Sequence, residues 1–117
     1  MSMTKRMARA SRMTVGVSYD VALKYQGLMG NEHVTEVWVD GRAAGEVYVR
    51  TGTAVHCALV RGFALREDGT VREVLEDRAG NRTVAQLKAD AVEAIVLFWH
   101  DNRALTTHKL DRAVIRS

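Results

Sequence analysis

The chain contains no proline and a single cysteine, Cys57. One thiol cannot close an internal disulfide, so the fold has to rest on its core, and a reducing, cytoplasmic setting is expected. No low-complexity linker divides the sequence and no repeat recurs, which excludes linked domains and solenoids. No apolar run approaches the roughly 18 residues that span a bilayer, and the start lacks the apolar stretch and cleavage site of a secretory signal. No membrane partner is expected. Acids are also missing at the start. Residues 1–13 hold Lys5, Arg6, Arg9 and Arg12 and no acid, whereas the other 104 residues carry 13 basic and 14 acidic side chains.

What is present suits one domain: 117 residues, 47% hydrophobic and 26% charged, are enough to bury a core without metal or disulfide. Arginine outnumbers lysine 13 to 4, the bias of a GC-rich coding genome, bacterial or phage. The basic character belongs to an arm, residues 1–13, and the single domain to residues 14–117. The arm reads as a soluble tail or short helix, as a segment that orders on nucleic acid, or as one that packs on the body or a partner.

The best-marked element is a helix over Thr83 to Arg103. Thr83 and Gln86 stand at capping-box spacing, and Val84, Leu87, Ala91, Val92, Ile95, Phe98 and Trp99 recur as one helical face. Ala94 to Trp99 is apolar at six successive positions, so this stretch needs cover on every side. The cover is either the tail, where Leu105, Leu110, Val114 and Ile115 form a short second helix, or a second copy of the chain. On the second reading Val96, Leu97 and Trp99 form an oligomer or partner interface, most simply a homodimer.

Ahead of the helix lie strand signals. Val15, Val17, Tyr19, Val21, Leu23 and Tyr25 alternate with small or polar residues, which predicts a strand with one buried face. Gly27 to Glu32 reads as a loop. His33 to Arg50 reads as a hairpin about Asp40-Gly41, with Trp38 opposite Ala43 or, with a longer loop, near Tyr48. Ala54 to Leu65 reads as a strand with Val55, Cys57, Leu59, Phe63 and Leu65 on one face and a bulge at Gly62. Val71 to Glu76 suits a charged edge strand. The prediction is α+β: an antiparallel sheet of about five strands packed on one long C-terminal helix.

Chemistry is thinly signalled. His56 and Cys57 adjoin on a predicted strand, so their side chains diverge, and Cys57 reads as a buried structural thiol. His100, Asp101 and His108 match no familiar zinc spacing. The glycines fall at turns, outside any phosphate-loop pattern, although Gly80-Asn81-Arg82-Thr83 opens a helix and Arg82 there suits a phosphate. No catalytic residue, metal or cofactor is predicted. Trp38, Tyr48, Tyr19, Tyr25 and Phe63 read as core or as stacking platforms for bases. Several strands ahead of one helix, with a basic arm, are similar in topology to the Whirly and PUR-type single-strand-binding folds. Arg82 to Ile95 resembles the second helix of double-stranded-RNA-binding domains, without the lysine cluster that opens it.

The expectation is a small, non-enzymatic accessory protein of a phage or mobile element, binding DNA or RNA through Lys5, Arg6, Arg9, Arg12 and Arg82. The alternatives are a protein-binding module or inhibitor using the apolar helix surface or a sheet edge, and a small-ligand or enzyme fold with a pocket between sheet and helix.

Overall fold

Among the described residues, six strands follow one another in a meander that a single helix covers on one face. The computed structural model describes residues 2–7 and 18–116, with side chains from Tyr19 to Asn102. The strands are β1 Ser2–Met7, β2 Ser18–Met29, β3 Glu32–Val39, β4 Arg42–Arg50, β5 Leu59–Leu65 and β6 Val71–Arg78, followed by α1 Val84–Arg116. They lie side by side in sequence order, every neighbouring pair antiparallel.

The β3–β4 hairpin takes the shorter of the two registers read from sequence. Val39 pairs with Arg42 and Trp38 with Ala43. Asp40 and Gly41 have φ of 50° and 80°, the left-handed pair that a two-residue turn of this twist requires. A bulge after Val37 then brings Val37 opposite Gly45.

Three expectations are corrected. Gly27 to Met29 continues β2 beyond a bulge between Tyr25 and Gly27, and only Gly30 and Asn31 form the turn. β5 begins at Leu59, because residues 51–58 form a loop, and its helix-facing residues are Val60, Gly62 and Ala64. Phe63 and Leu65 therefore point the other way, and Cys57 is exposed. Finally, the tail forms no separate helix: α1 runs unbroken for 33 residues, about 50 Å. Residues 2–7 add a sixth strand, pairing Met7 with Ser18 and Ser2 with Leu23. Val15 and Val17 lie outside the described residues.

The helix start is as the sequence predicts. The Thr83 N–H donates to Gln86 Oε1 at 2.9 Å, and the Gln86 N–H donates to Thr83 Oγ1 at 3.1 Å. Each side chain satisfies one backbone donor that the first turn leaves unpaired. Thr83→Ala is expected to lower stability by about 1 kcal/mol in urea denaturation; an unchanged midpoint would show the box to be dispensable.

Leu87, Ala91 and Ile95, spaced i, i+4, i+8, form the stripe that α1 lays on the sheet, with Val92 and Val96 beside it. They meet Val21, Val37, Val47 and Val60, each at most 1% exposed. Large apolar side chains buried this fully contribute about 1.5–3 kcal/mol apiece relative to exposure. The helix passes over β5 and β4 at two glycines. A Cβ on Gly62 would stand 3.1 Å from Ala91 Cβ, and one on Gly45 would strike the Phe63 carbonyl oxygen and reach 3.0 Å from Ile95 Cγ2. Side chains at these positions would lift the helix off its own core.

Candidate nucleic-acid interface and the open sheet face

α1 starts beside the end of β6 and runs to the end of the sheet where β2 begins. Ala91 lies over Gly62, Ile95 over Gly45, and Trp99 and His100 reach Tyr19. The Tyr19 ring meets Trp99 edge-on with centroids 5.2 Å apart, and its hydroxyl shares a hydrogen bond with His100 Nδ1. Tyr19 pairs across the sheet with Arg6 of β1. From Asp101 onward the helix continues for 16 residues, about 24 Å, from the sheet end at which β1 finishes.

Charge divides along the same line. Residues 1–17 carry four basic side chains and no acid, and residues 103–117 carry Arg103, Lys109, Arg112 and Arg116 against Asp111 alone. Residues 18–102 carry nine basic and thirteen acidic side chains. β1 thus finishes, and the C-terminal half of α1 departs, at one end of an acidic body. The carboxylates of Asp40 and Asp101 lie at their base, close enough to Tyr19 to act on its hydroxyl. Burial first, then these two charges, hold Tyr19 above the ordinary tyrosine value of 10.0.

A raised tyrosine pKa favours the neutral hydroxyl in the fold. Its contribution to stability is complete below the unfolded value near 10 and is lost as pH rises through the higher folded value. Tyr48 is raised in the same way, by burial and by its hydrogen bond to Glu46. Absorbance titration is expected to show Tyr19 and Tyr48 ionising above the ordinary tyrosine value of 10.0, with their contribution to stability lost only in that alkaline range. Ionisation of both at or below pH 10.0 would contradict this.

The sheet face away from the helix is aromatic and charged. The Tyr48 and Phe63 rings pack edge-on with centroids 5.4 Å apart, and the Arg61 guanidinium lies 5.3 Å from the Phe63 centroid. One Arg61 terminal nitrogen donates to both carboxylate oxygens of Glu32 at 2.8 Å. Lys24 Nζ sits 4.0 Å over the Trp38 ring, and the Trp38 indole N–H donates to Glu36 at 3.0 Å. Tyr48 donates to Glu46 at 3.0 Å. Trp38, Tyr48 and Phe63 are thus each met by a carboxylate or a cation.

The residues picked from sequence are distributed as follows. Lys5 and Arg6 lie in β1, opposite Asp20 and Tyr19. Arg9 and Arg12 fall outside the described residues. Arg82 lies at the other end of the helix, its terminal nitrogen 2.6 Å from Asp90 Oδ2. Val96 and Leu97 are buried within one copy of the chain, at 1% and 8% exposure, and Trp99 is half-buried. The apolar run is thus accounted for largely within a single chain. Sequence reasoning passed over the basic tail, although charge counted by segment beyond Arg103 would have found it. No helix among the described residues is long and apolar enough to cross a membrane.

Comparison with protein-family models, characterised proteins and solved structures finds no match.

Proposed function

We propose that this protein binds nucleic acid through its two basic segments, the β1 strand with the residues that follow it and the projecting C-terminal half of α1. The observation that supports this is the link from Arg6 through Tyr19 to His100, which ties the end of β1 and the start of the projecting half of α1 to one end of the fold. Cations carried on these segments neutralise phosphates and release counterions, and the acidic body keeps the backbone away from the rest of the surface. Arg82 takes no part in this reading, being held by Asp90.

The direct test is anisotropy of labelled single- and double-stranded DNA and RNA at increasing salt. Binding at low salt that weakens steeply supports the proposal, and no binding at low salt overturns it.

A second reading, a protein-binding surface on the open sheet face, is favoured by the half-buried Trp38, Tyr48 and Phe63. Glu36, Glu46 and Glu73 on that face repel phosphate but suit a polar protein partner. Trp38→Ala with Tyr48→Ala should leave nucleic-acid affinity unchanged; a large loss would move the nucleic-acid site onto the sheet.

A further inference from the structure

At the end of the sheet away from Tyr19, a hollow of about 610 Å³ opens between the β2–β3 turn, the 51–58 loop and the end of β6. Arg50, Arg78, His33, His56, Thr51 and Thr53 line it, and no carboxylate does. Arg50 and Arg78 both stand directly opposite Leu59, one on each neighbouring strand. They therefore share a sheet face, with backbones about 10 Å apart.

Neither arginine has an ion pair among the described residues, and the carboxylates nearest in the chain are committed elsewhere. Glu32, across the β3–β4 ladder from Arg50, is held by Arg61 at 2.8 Å. Asp77 accepts from the Arg78 N–H at 2.8 Å. Two guanidinium groups thus line a concave site that no carboxylate lines, inside a body that is otherwise acidic.

The loop that closes the hollow is braced. Thr53 Oγ1 accepts from the N–H groups of Val55 and His56 at 3.2 and 3.1 Å, and the Thr53 N–H donates to the His56 carbonyl at 2.7 Å. A Cβ on Gly52 would stand 2.6 Å from the Ala58 nitrogen, so the loop is folded tightly on itself.

We infer that this hollow binds the phosphate group of a small phosphorylated ligand. Planar guanidinium forks match the oxygens of a phosphate, and charge-assisted bonds of this kind are the strongest a side chain makes. The volume exceeds that of phosphate alone and falls in the range of small-molecule sites. Leu28, at its wall, offers the remainder of the ligand an apolar contact.

Cys57 supplies the readout, being exposed, lining the hollow and the only thiol in the chain. The full-length protein is titrated with inorganic phosphate and, separately, with adenosine monophosphate, against chloride at equal ionic strength. Alkylation of Cys57 by iodoacetamide and calorimetric heat are both followed.

Phosphate and adenosine monophosphate should slow alkylation and chloride should not. Arg50→Gln and Arg78→Gln, checked for an unchanged fold by circular dichroism, should each weaken binding about tenfold or more. Tighter binding of adenosine monophosphate identifies a phosphorylated small molecule as the occupant. Equal binding reduces the occupant to free phosphate, the same chemistry without the organic part.

Absence of heat and of protection at millimolar concentrations overturns the inference, as do two arginine variants that bind like the parent. The inference is independent of the nucleic-acid reading, because glutamine at positions 5, 6, 9 and 12 should leave phosphate binding intact.

Discussion

Ile95→Ala is expected to lower the free energy of unfolding by about 2–5 kcal/mol, a large fraction of what a domain of this size has to lose. Ile95 is fully buried at the point where α1 crosses Gly45, and backbone lies beneath it. Backbone held in two strand ladders cannot collapse into the space, so the cavity persists and the loss falls in the upper half of that range. Gly45→Ala attacks the same contact from below. Its added methyl strikes the Phe63 carbonyl oxygen before it meets Ile95, so β4 and β5 must part, at about 1–3 kcal/mol or more. Combining the two changes should give only partial relief, because the backbone clash remains. Urea denaturation of the single and double variants decides this. An Ile95→Ala loss below about 1 kcal/mol would mean that the helix is not seated as described.

Neutralising the basic segments is expected to have the largest effect on function. With glutamine at Lys5, Arg6, Arg9 and Arg12, the slope of log affinity against log salt on duplex DNA should become shallower by roughly 3–4 if all four contact phosphate. Glutamine at Arg103, Lys109, Arg112 and Arg116 should act similarly, and both sets together should remove binding. Substitution is preferable to deletion. Removing residues 1–13 would take away β1 and bare the edge of β2, so lost binding could then reflect lost structure. Full affinity with both sets neutralised would eliminate the basic segments as the binding site.

The parts of the fold that were legible in the sequence are those written in local patterns. The Thr83/Gln86 box, the Asp40-Gly41 turn and the stripe Leu87, Ala91, Ile95 each need only neighbouring residues to be read. What could not be read depends on the third dimension. Val60, Gly62 and Ala64 look like the weaker face of β5, yet they face the helix because small residues let α1 approach. The larger Phe63 and Leu65 are turned out to the open face. Val55 and Cys57 alternate like strand residues, but Gly52 and Thr53 fold the 51–58 segment into a loop.

The sites follow the same division. Basic residues near the start are visible in the sequence as a run, whereas the placing of β1 and the C-terminal part of α1 at one end of the sheet depends on Tyr19 and His100, 81 positions apart. Arg50 and Arg78 are unremarkable in the sequence and become neighbours only through Leu59 between them.

The central claim is that the two basic segments bind nucleic acid from one end of the fold. Amide chemical-shift mapping with a short oligonucleotide bearing a 5′-hydroxyl tests it most directly. Shifts at residues 2–7 and 101–116, with Trp38, Tyr48 and Phe63 unmoved, are predicted. Shifts centred on the open sheet face, or no shifts at low salt, would contradict it.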